Sequence, residues 1–79
     1  MTQKTQQLTP GDLVIARFGT PQKVAFALGG ILDKPPTYRG IHAWKGGLVP
    51  SKYQAALLQA ARLYKVRLTH KELIEGGPL

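Results

Sequence analysis

The 79-residue chain has no cysteine, one tryptophan, one methionine and only four acidic residues. Without cysteine there can be no disulfide, no thiolate metal site and no cysteine nucleophile, and a reducing cytoplasm is the compartment expected for it. His42 and His70 stand far apart, and Asp12, Asp33, Glu72 and Glu75 do not cluster in the chain, so neither a metal site nor a cofactor is expected. No nucleophile sits beside a base, and the glycine pairs at 29–30, 46–47 and 76–77 do not form a phosphate-binding fingerprint. The expectation is a protein that is not an enzyme. Long apolar runs are missing too: nothing approaches the roughly 18 residues of a membrane helix, and Met1 to Thr9 lacks the apolar region of a secretory signal.

What is abundant is positive charge. Eleven lysines and arginines against four acids leave a formal net charge of +7, which on so short a chain points to a polyanionic partner. Hydrophobic residues make up 43% of the sequence, enough for a folded core. The length allows one domain, and a core this small often gains stability from a second subunit, so a homodimer is expected.

The chain divides into a polar arm at residues 1–8, a domain at 9–75 and a short tail at 76–79. Thr9-Pro10-Gly11-Asp12 reads as a helix start: a capping hydroxyl, a proline in the first turn and an acid in the positive first turn. Leu13, Ile15, Ala16 and Phe18 supply the apolar side of this helix, and Gly19 ends it. Thr20-Pro21-Gln22-Lys23 repeats the signal, and Val24 to Leu28 follow before Gly29-Gly30. The paired prolines make 31–36 a loop. Thr37 caps a third helix over Tyr38 to Lys45, weakened by Gly40, with Ile41 and Trp44 on one face. A longer helix is expected from Ser51 to Val66, burying Tyr53, Ala56, Leu57, Ala60, Ala61 and Tyr64. Thr69-His70-Lys71-Glu72 has the capping-box pattern for a fifth. The fold class is all-α, a compact helix-turn-helix domain of about five short helices.

Between Ala25 and Pro50 the order of signals is informative. In Ala25-x-x-Leu28-Gly29 a small residue allows a close helix crossing, an apolar residue anchors, and a glycine turns the chain with positive φ. Ile41-x-x-Trp44 then fixes a second helix on the core. These steps, with Gly47-x-Val49-Pro50, resemble the lambda-repressor and Cro-like helix-turn-helix proteins, especially the small Cro-like and YdaS-like regulators of phages and prophages. The resemblance spans residues 12–75 and departs from the family at residues 30–36, which form an insertion in the turn. It implies a dimeric transcriptional repressor that binds an inverted-repeat operator in double-stranded DNA.

In that reading Thr37, Tyr38, Arg39 and His42 are the candidates for base contact, Arg39 first, because a guanidinium can give two hydrogen bonds to guanine in the major groove. Thr20, Gln22, Lys23, Lys34, Lys45 and Lys52 are the candidates for phosphate contact, which fixes register without reading sequence. Trp44 is assigned to the core. An antitoxin-like regulator with a protein partner, or a module binding protein or RNA through the same fold, are the alternatives. The helix at 51–66 and the segment 68–79 are the candidate dimer surfaces.

Overall fold

A computed structural model describes residues 7–79, so most of the arm expected at 1–8 lies outside the described residues. The order along them is β1 (Gln7–Leu8), α1 (Pro10–Phe18), α2 (Pro21–Gly29), α3 (Tyr38–His42), α4 (Gln54–Leu63), α5 (His70–Glu75) and β2 (Gly77–Pro78), with a 3-10 turn at Ser51–Tyr53 leading into α4. The fold is all-α with a single small antiparallel strand pair, β1 with β2.

Four threonines set the starts of α1, α2, α3 and α5 by the same chemistry. The hydroxyls of Thr9, Thr20, Thr37 and Thr69 accept from the backbone N–H groups of Asp12, Lys23, Gly40 and Glu72, each three residues on, which satisfies a donor that the first turn leaves free. At α5 the Glu72 carboxylate returns the bond, accepting from the Thr69 N–H at 3.0 Å.

Several expected boundaries and faces move. The third helix keeps regular geometry only to His42. Trp44 and Lys45 then donate to Ile41 and His42, three residues back, winding the chain into tight turns rather than the expected helix to Lys45. The helix expected over 51–66 begins with the 3-10 turn and stops at Leu63. Lys65 adopts φ 55, and the N–H groups of Lys65 and Val66 return to the carbonyls of Arg62 and Ala61, a left-handed closure made without glycine. Tyr64 therefore leaves the buried face and is exposed, and Tyr53 is only half buried. In α1 Val14 is fully buried, while Ala16 is exposed and Phe18 half buried. Gly29 does not turn with positive φ: it ends α2, and Gly30 follows at φ −82 while Ile31 and Leu32 donate to Leu28.

The core is one cluster in which Val14 and Ile15 of α1, Val24 and Leu28 of α2, Ile41 and Trp44, Leu57 of α4 and Leu73 of α5 meet. Trp44 is 6% exposed and lies 5.7 Å from Tyr53, ring to ring, at a tilt of 36°.

The two ends of the domain are fastened rather than free. Gln7 and Leu8 pair with Pro78 and Gly77, so the expected arm loses its last two residues and the expected tail its middle two to the strand pair. Gly76, at φ +76, makes this possible: a Cβ there would lie 2.0 Å from the Leu8 carbonyl oxygen. Arg17 locks the same end, with its guanidinium donating to both Glu72 carboxylate oxygens at 2.9 and 3.3 Å, to the Pro78 carbonyl at 3.1 Å and to the Arg67 carbonyl. The carboxyl of Glu72 is held below its ordinary value of 4.5, first by the hydrogen bonds from Arg17 and further by the Thr69 N–H, against an opposing effect of partial burial. No helix among the described residues is long and apolar enough to cross a membrane.

Candidate nucleic-acid interface

The short helix α3 is positioned by Ile41 within it and by Trp44 in the turn that follows. Ile41 is fully buried and Trp44 nearly so, and α2 packs more extensively on α3 than any other pair of elements pack together. With those two residues inward, Thr37, Tyr38, Arg39, Gly40, His42 and Ala43 are all exposed. The four residues expected to contact bases therefore share one short segment at the surface. The hydroxyl of Thr37 is engaged as an acceptor, from the Gly40 N–H at 3.2 Å, and it keeps its proton to donate.

The six expected phosphate contacts are also exposed, on four different stretches of chain: Thr20, Gln22 and Lys23 at the start of α2, Lys34 in the loop, Lys45 after α3 and Lys52 in the 3-10 turn. Lys52 holds its ammonium 5.1 Å from the centre of the Tyr53 ring. Residues 30–36, expected as a loop, form no helix or strand.

What sequence reasoning missed is how α3 is held from the far side. The first turn of α1 grips the turn that follows α3. The Asp12 carboxylate accepts from the Gly46 N–H at 3.1 Å as well as from the Thr9 hydroxyl at 3.0 Å, and the Gly11 N–H donates to the Gly47 carbonyl at 3.0 Å. Gly11 sits so close to Trp44 that a Cβ there would lie 2.0 Å from the Trp44 carbonyl oxygen and 2.8 Å from the Trp44 Cβ. Asp12 is thus more than an acid placed in a positive first turn. It satisfies a backbone donor 34 residues away and makes α1 the clamp of α3. The only sequence signal was the adjacency of Gly11 and Asp12 to a capping threonine, and nothing in it named residue 46.

The chain matches no family model, no curated protein and no solved structure.

Proposed function

We propose that this protein binds double-stranded DNA with sequence preference and acts as a Cro-like repressor of the phage or prophage type, working in the cytoplasm without a cofactor. One observation carries the reading: Arg39, with Tyr38 and His42 beside it, is exposed on a helix that is buried through Ile41 and whose following turn is held by the buried Trp44 and by Asp12. A rigidly held helix with a guanidinium facing solvent is what major-groove readout requires, since a bidentate bond to guanine tolerates little misplacement. The start of α2, with Thr20, Gln22 and Lys23 exposed, supplies groups for phosphate contact, and the net charge of +7 gives attraction without regard to sequence.

Two copies would bind an inverted repeat with their α3 helices about 34 Å apart, one turn of DNA. Ile74 of α5 and Leu79 after β2 are exposed apolar side chains in the C-terminal segment, available to a second copy. The test is fluorescence anisotropy on the DNA upstream of the protein's own gene against a scrambled duplex, with sedimentation of the complex. Preference for the upstream DNA, with two chains per site, is expected. Equal affinity for both duplexes, or one chain per site, would sink the proposal.

A further inference from the structure

The surface also carries an apolar groove of about 480 Å³ whose lining includes no residue of α3. Phe18 at the end of α1, Lys23, Phe26 and Ala27 of α2, and Tyr64 and Val66 beyond α4 line it. Phe26 is 75% exposed, an unusual condition for a phenylalanine on a helix whose other face is packed. Lys23 is the one charged side chain in the lining, and Gln22 adds an amide. Lys65 stands between the lining residues Tyr64 and Val66 in the chain, with Arg62 and Arg67 close by in sequence, and all three are exposed. None of the four carboxylates lines the groove. Asp12 is engaged with Gly46, and Glu72 with Arg17.

The groove discriminates among a small ligand, a second copy and a helix of a partner protein. A small ligand is ordinarily buried over most of its surface, roughly 70–90%, whereas a wall formed by so exposed a ring leaves the groove open. A second copy would bring another surface of net charge +7 against the cations at this groove. An amphipathic helix from an acidic partner meets both conditions, because its apolar stripe covers Phe26 and Tyr64 while carboxylates on its flanks meet Lys23 and the cations around Tyr64.

We infer that this groove docks an acidic amphipathic helical segment of a partner protein, anchored by an apolar side chain against Phe26. Lys23 belongs to this groove and also to the phosphate-contact set, so on the proposed DNA-binding reading the partner competes with DNA for Lys23 and relieves binding. The docking itself is tested without DNA and stands or falls separately from that reading.

The experiment is an NMR titration of the full chain with three short synthetic peptides: a helix former with leucines and a tryptophan on one face and glutamates elsewhere, the same residues scrambled so that no face forms, and the first peptide with lysine for glutamate. Shifts at Phe18, Lys23, Phe26, Tyr64 and Val66 with the first peptide alone are expected. Phe26→Ala should weaken it by about tenfold or more, the loss typical of removing an aromatic anchor. Lys23→Glu should weaken it as well. The Phe26→Ala chain should keep the parent's spectrum elsewhere and its affinity for DNA. Equal binding of the scrambled or lysine peptide, or no effect of Phe26→Ala, overturns the inference. So do groove shifts that appear with protein concentration alone, which mean a second copy, or shifts produced by phosphatidylglycerol vesicles and not by the peptide, which mean a lipid surface.

Discussion

Replacing Gly11 by alanine tests the clamp on α3 in a single methyl group. In an exposed helix that change stabilises by about 0.4–1 kcal/mol, because alanine has less backbone freedom to lose on folding. Here the new Cβ would be 2.0 Å from the Trp44 carbonyl oxygen, a separation that must open by at least about 1 Å before it becomes tolerable. Neither neighbour yields easily, since one is backbone and the other belongs to a tryptophan in the core. Overpacking of this kind costs about 1–3 kcal/mol. Moving α1 away also strains the bond from the Gly11 N–H to the Gly47 carbonyl, worth about 1 kcal/mol. Set against the gain in helix preference, the net loss is about 2 kcal/mol, or roughly 10 °C in Tm for a domain of this size. Gly40→Ala is the matched control. Its Cβ would meet only the Thr37 Oγ1, at 3.7 Å, so it should raise stability by about 0.5–1 kcal/mol. Thermal unfolding followed by circular dichroism reads both. If Gly11→Ala melts at or above the parent, α1 does not grip Trp44 as described, and the account of how α3 is positioned fails with it.

Other outcomes follow from the same contacts. Trp44→Ala should destabilise by about 3–5 kcal/mol in denaturant unfolding, as truncation of a buried aromatic does, and a variant that unfolds like the parent would remove Trp44 from the core. Arg39→Ala should cost roughly 1–3 kcal/mol on preferred DNA and relax one base position, whereas alanine at Lys34, Lys45 or Lys52 should weaken all DNA alike and lower the slope of log affinity against log salt by about 0.9. Titration at several salt concentrations separates them, and Arg39→Ala behaving like a lysine variant would mean that α3 does not read bases. Because the Glu72 pKa is lowered on folding, its stabilisation is complete above its ordinary 4.5 and fades as the pH falls through the folded value. Glu72→Gln should therefore be less stable than the parent at neutral pH and converge with it under acid, and a constant gap down the acid limb would refute the role given to Arg17.

The starts of α1, α2, α3 and α5 were legible because their cause is local: a threonine hydroxyl reaching an N–H three residues on needs no knowledge of the rest of the chain. Ile41 and Trp44 were legible for a similar reason, their spacing marking one face. The end of α4 was not, because the left-handed turn at Lys65 uses a residue type that carries no turn signal. Gly29 misled in the other direction, its residue type promising a positive φ that the chain does not use. The candidate contact residues were visible as residue types, whereas the bonds that hold them in place were not. Asp12 to Gly46 and Arg17 to Glu72 join residues 34 and 55 apart, and pairing over such distances leaves no periodic trace in the sequence.

The strand pair also bears on how the chain is made. Gln7 and Leu8 are translated some seventy residues before their partners at Gly77 and Pro78, and Arg17 likewise waits for Glu72 and Pro78. At about 5–20 residues per second that interval lasts several seconds, during which α1 can coil but cannot lock, and the closing step joins the two most distant stretches of the domain. A ribosome paused before the codons of β2 would hold α2 and α3 already translated but not yet braced by a fastened α1.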